Sequence, residues 1–245
     1  MKCLQLAILL VFGTLLCGVA AVAGDSAPGY KQSYVILIKG SVSGSENVVE
    51  TVDAGGNTLS TSDHEIFVTD GLETKRMAFS TRMQMAPNSC TPISYLYKYT
   101  TGDAGDSYEV KVKNGQIKRA LTRNGHTTEA SALLKPNTVI LDFAVYHQYD
   151  CLVRLYDSGK GGRQIFSDFV PLIGSDISVA VTSLGDGELK LEKGSIAVVN
   201  YKVEFVGIAG STLSVDKNKR LVRLIIPSQD LEVVRKDLLP ANLGN

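Results

Sequence analysis

The chain of 245 residues has only three histidines and four cysteines, and neither set is spaced for chemistry. No His-x-x-x-His or Cys-x-x-Cys pair is there to organise zinc. A nucleophile elbow needs serine between two glycines, and Gly40-Ser41-Val42-Ser43-Gly44 puts Val42 in that place. The glycine stretches match neither a Walker loop nor a dinucleotide fingerprint. Asp103 with Asp106, and Asp186 with Glu188, lack the loop spacing of an EF-hand and read as solvated turns. His64, between Asp63 and Glu65, and His126, after Asn124-Gly125, read the same way. An excess of either charge is missing too, since 25 basic residues face 25 acidic ones without a block of like sign. Electrostatics therefore gives no reason to expect nucleic acid or an anionic membrane surface as partner. No repeat of fixed period is visible. The expectation is a non-enzymatic protein with no catalytic set, metal centre or cofactor.

What is present begins at the N-terminus. Lys2 supplies a positive start, Leu4 to Leu16 is an almost unbroken apolar run, and Ala21-Val22-Ala23 before Gly24 is a small-x-small cleavage site. Residues 1–23 read as a cleavable secretion signal, because a stable membrane span needs about 20 apolar residues. Lipid attachment at Cys17 would want a small residue before it, and Leu16 stands there. The expected location is periplasmic or extracellular, with no membrane span after signal cleavage. Residues 24–33 read as a flexible leader and 34–245 as one β-rich domain. Signal cleavage leaves Cys90 and Cys151 as the only thiols. An oxidising compartment admits one disulfide between them, and two separately buried thiols are the alternative.

Strand patterns dominate the remainder. Tyr34 to Ile38 is a short buried run, and a second strand begins at Val48 beyond a turn-rich stretch from Gly40 to Asn47. Met77, Phe79, Thr81, Met83 and Met85 alternate with Ala78, Ser80, Arg82 and Gln84. Ile93, Tyr95, Tyr97 and Tyr99 form the next such face, strongly aromatic. Period two makes both half-buried strands. Asn114-Gly115 accepts the positive φ angles of a type I′ turn, so the flanking alternating runs form a β-hairpin. A second hairpin joins Leu213–Val215 to Leu221–Ile226, and Val199 to Phe205 is another strand. One segment breaks the rhythm: Asp142 is placed to cap a helix over 143–156, with Asp150 and Arg154 as an i,i+4 pair. His147 within it has no identifiable nucleophile or orienting acid and reads as a helix-surface or partly buried histidine with a hydrogen-bond partner. The tail from Leu231 to Leu239 reads as a short helix or an edge strand. The pattern predicts one large curved antiparallel sheet or partial barrel with the helix covering part of a face.

Two stretches carry a resemblance, DFAVYHQYDCLVRLYDSGKGGRQIFSDFVP from Asp142 to Pro171 and LSVDKNKRLVRLIIPSQDLEVVR from Leu213. Through Tyr149, Arg154, Tyr156, Asp157, Gly161, Gly162, Gln164 and Phe166, then Val215, Asp216, Arg220, Leu221 and Arg223, they resemble a group of secreted bacterial β-rich proteins of uncharacterised function. More distantly, the long strands and closing Val-Asp…Arg hairpin are similar to periplasmic LolA-type half-barrels, which implies lipid or lipoprotein handling. On the residues themselves, the faces carrying Met77, Phe79, Met83, Tyr95, Tyr97 and Tyr99 either are core or line a concave surface that holds a lipophilic molecule. Two functions follow as expectations. One is binding of a lipophilic ligand or cell-envelope component. The other is a structural or assembly module acting through a protein partner at exposed strand edges, the Arg163-Gln164 strand among them.

Overall fold

A computed structural model describes residues 29–70, 73–101, 104–191, 194–205 and 210–240. The secretion signal, the first five leader residues and Asp103 lie outside them. Alternating side chains produce fifteen strands among the described residues. In the first half these are β1 (Tyr30–Ile38), β2 (Ser41–Val52), β3 (Thr58–Asp70), β4 (Glu73–Met85), β5 (Pro92–Thr101), β6 (Ala104–Lys113), β7 (Gln116–Arg123) and β8 (His126–Leu133). In the second half they are β9 (Thr138–Val139), β10 (Arg163–Val170), β11 (Ser175–Leu191), β12 (Gly194–Phe205), β13 (Ser211–Val215), β14 (Leu221–Ile226) and β15 (Leu231–Arg235).

All fifteen belong to one sheet. β1 to β8 lie in chain order, each antiparallel to the next; β15 pairs with β1, and the order then runs back through β14 to β10, with β9 parallel to β10 at the far edge. Tight turns with left-handed residues set the early registers, Asn114-Gly115 and Asn124-Gly125 both at positive φ as type I′ geometry requires. The sheet curls until its two halves meet. The turn between β10 and β11 reaches β7 and β8 at Gly174, where a Cβ would lie 2.5 Å from the Arg119 side chain and 2.7 Å from that of Ala130. Lys135 and Asp176 form an ion pair at the same seam. The large curved antiparallel sheet expected from sequence is thus the fold.

The segment that breaks the β rhythm covers part of the concave face, as expected, but differs in form. It is a single 3-10 turn at Tyr146–Tyr149 running into a six-residue helix α1 (Asp150–Leu155). Asp142 does not cap it, because Ala144 adopts a left-handed φ of 60° and the Asp142 carboxylate faces other donors. Nearly every side chain from Ala144 to Val153 is buried, so the sheet wraps around residues 142–156, which form the centre of the core.

Three further boundaries are corrected. Tyr30 to Ser33, read as leader, already pair with β2. The stretch from Ser41 to Asn47, read as part of a turn-rich segment, is the first half of β2, the turn being made by Lys39 and Gly40. The tail strand β15 is no edge but a central strand between β1 and β14, followed by a 3-10 turn at Lys236–Leu238. Its Val234 closes a small second cluster with Val35, Leu37 and Leu239 on the outer face.

Candidate binding site

The inner segment is fixed to the wall by buried polar groups. His147 donates from Nδ1 to Glu46 Oε1 at 2.5 Å and shares its Nε2 with Ser60 Oγ at 3.0 Å. The backbone N–H of His147 also reaches the Glu46 carboxylate, at 3.3 Å. On the other side of Glu46, His64 Nε2 lies 3.6 Å from Oε1 and 2.7 Å from Ser62 Oγ, which continues to Thr81 at 2.6 Å. Asp142 accepts from the hydroxyls of Tyr95, at 2.7 Å, and Tyr108. Asp150 accepts from the Leu221 backbone N–H at 2.6 Å and faces Arg154 and Arg220, both shared with Glu50.

These environments divide the buried carboxylates. Burial pushes the Glu46 carboxyl up, but the imidazoles of His64 and His147 and the His147 amide outweigh it and hold it below the usual range. Glu50 is likewise held low against burial by Arg154 and Arg220. Burial dominates at Asp150 and carries it up to about 6 despite the two guanidiniums. Asp142 and Asp168 are also raised by burial, Asp168 with little relief beyond the Leu141 N–H. His64 is pushed down to about 4, mainly by burial, and is neutral at pH 7.

The face carrying the expected ligand-facing residues opens in one direction. Along β4, Met85 is 1% exposed, Met83 2% and Phe79 5%, and Met77 is half-buried. Along β5, Tyr95 and Tyr97 are buried and Tyr99 is half-buried. β3 runs from buried Ser60 through Ser62, His64 and Ile66 to Val68, 41% exposed. On β7, Ile117 is buried and Leu121 half-buried. All four gradients rise toward the end formed by the β3–β4, β5–β6 and β7–β8 connections. Tyr95 therefore meets the inner segment and Met83 lies in the core, whereas Met77 and Tyr99 stand partly exposed at that end, the mouth of the sheet, where they still pack against the core. Between them the rings of His64, Phe79, Tyr97 and Tyr108 stack across four strands, with centroids 4.3, 5.4 and 4.6 Å apart. On the opposite side of the same strands, Ser45, Asn47, Asp63, Arg76, Lys98 and Thr100 edge a shallow groove of about 420 Å³ with charges of both signs.

Sequence reading missed Glu46 and Ser60, because neither neighbours a histidine along the chain; His64, read as a turn residue, is an interior side chain in mid-strand. Its place between Ser62 and Ile66 at period two is the signal that identifies it. His126, in contrast, is exposed at the start of β8. The expected Asp150–Arg154 pair is formed at 3.4 Å. Cys90 and Cys151 are both buried and near enough to shift one another's ionisation, but they are free thiols, not the admitted disulfide. Cys151 donates instead to Met85 Sδ at 3.8 Å. Among the described residues no three ligands stand at metal-binding spacing, and no helix is long and apolar enough to cross a membrane.

One large open sheet curved around an internal segment defines a barrel-like β protein. No family model and no curated protein matches the chain. Among solved structures it is similar to a beta-barrel-like protein of a domain of unknown function, DUF1849, from Brucella abortus, with a TM-score of 0.52 over 84% of this chain and 94% of that one. Identity is 8%, so the likeness is one of fold.

Proposed function

We propose that the protein is a secreted, non-enzymatic binding protein that takes a lipophilic molecule or cell-envelope component at the mouth above residues 142–156. The graded opening of the Met77–Tyr99 face carries this reading. Its side chains are apolar or aromatic, methionine adapts to irregular shapes, and the buried polar groups of the inner segment close the floor. The similarity to LolA-type half-barrels implies the same class of ligand. Expression with export to the envelope followed by native mass spectrometry tests it. A co-purifying species of lipid mass that disappears on delipidation is expected, and a protein that emerges bare from repeated preparations contradicts it.

A second reading, a module acting through a protein partner, draws on the free edge at β8. This strand pairs with β7 in unbroken register and contains no proline, lysine or bulge to discourage an added strand. A polypeptide that stays bound through delipidation is the result this reading expects.

A further inference from the structure

Arg119 lies on the interior face of β7, only 7% exposed, and among the described residues no carboxylate stands within ion-pairing distance of it. Its guanidinium has only weak neutral partners: Nη1 donates to the Thr128 carbonyl at 3.4 Å and to Thr128 Oγ1 at 3.2 Å, and the buried Nε has no partner. Arg154 of the inner segment and Arg220 facing it are treated differently, since each meets both Glu50 and Asp150. A withdrawn guanidinium is costly unless an anion answers it, and its planar fork matches the two oxygens of a carboxylate or phosphate.

Its nearest strand neighbours are apolar, while the Arg123–Asp106 ion pair follows further toward the mouth on the same face and Lys135 pairs with Asp176 at the seam. Register places Arg119 beside Val110 of β6 and Ala130 of β8, and Leu121 follows on the same face toward the mouth. From the opposite edge of the sheet, the β10–β11 turn brings Gly174 against the guanidinium at a left-handed φ of 70°. Leu172 and Ile173 in that turn are 44% and 57% exposed. A cation recessed beneath apolar side chains is the complement of an anionic head on an apolar tail.

We propose that Arg119 anchors the head group of a single-chain amphiphile bearing an oxyanion, either carboxylate or phosphate, whose chain runs past Leu121 toward Tyr99 and Met77. The inference rests on the binding reading above and adds the polarity and orientation of the ligand. Calorimetric titration of the full chain with dodecanoate, dodecyl phosphate and dodecanol, each below its micellar concentration, separates the two. The anionic ligands are expected to bind at least about tenfold more tightly than dodecanol, and the tighter of them names the head group. In Arg119→Gln that preference vanishes while dodecanol affinity stays, and Lys118→Gln, on the outward face, keeps it. Equal affinity of wild-type protein for all three overturns the role of Arg119 and leaves lipophile binding standing. Failure of all three to bind removes both. The wild-type comparison needs no variant to fold.

Discussion

Glu46→Ala is expected to destabilise the protein by about 2–6 kcal/mol, because it leaves two buried donors without an acceptor at about 1–3 kcal/mol each. Glu46 is wholly buried on β2 and is the point where two strands meet the inner segment. Its loss leaves the His147 imidazole and amide donors without an acceptor, and His64 loses the carboxylate 3.6 Å away. Since whole domains are stable by only about 5–15 kcal/mol, much of the folded population is at risk. Glu46→Gln retains an acceptor oxygen and is expected to cost about 1–2 kcal/mol. Urea denaturation curves check both, and an alanine variant as stable as the parent would mean that His147 is not anchored through Glu46.

The second large effect is in pH dependence, where two buried groups act in opposite directions. The His64 imidazole titrates near 4 in the folded protein and near 6.5 when unfolded. The unfolded chain therefore binds the extra proton in that window, and this contribution to stability is lost as pH falls from about 6.5 to 4. Asp150 titrates near 6 folded and near 3.9 unfolded. The folded state binds that proton more tightly, so its contribution is present in acid and lost as pH rises from about 4 to 6. At 1.36 kcal/mol per pH unit each amounts to about 3 kcal/mol, so these two contributions nearly cancel across this window. Relative to the wild type, His64→Gln removes the His64 limb, leaves that of Asp150 unopposed and gains stability on acidification. Asp150→Asn leaves the His64 limb and loses it. Melting temperatures from pH 4 to 7 for the three proteins are the check, and parallel curves would contradict the assignment.

Much of the sheet was legible because period-two alternation is a local property. The faces of β4 and β5, the Asn114-Gly115 hairpin and the β13–β14 hairpin all stand where their side chains put them. The 142–156 segment was recognisable as non-β, yet the extent of its burial was not, since apolar residues at helical spacing mark burial without saying how many sides are covered. The left-handed Ala144 gave no sign, as alanine disfavours that conformation and tertiary contacts enforce it. Polar strand residues were the other blind spot. Ser60, Ser62 and His64 look like a solvated stretch, and only the curl of β2 and β3 around His147 turns them into core. The unpaired state of Arg119 depends on which strands close the seam, which no local pattern records.

On the proposed reading a lipophile seats at the mouth while the inner segment stays in place, and the chain carries its own depth gauge. Met77, Met83 and Met85 lie along β4 in order of increasing burial, so methyl spectra of methionine-labelled protein during titration with dodecanoate read the depth of binding directly. A shift of the Met77 methyl, with Met83 and Met85 unmoved, is the predicted result. Equal shifts at all three, or none at Met77, would contradict it.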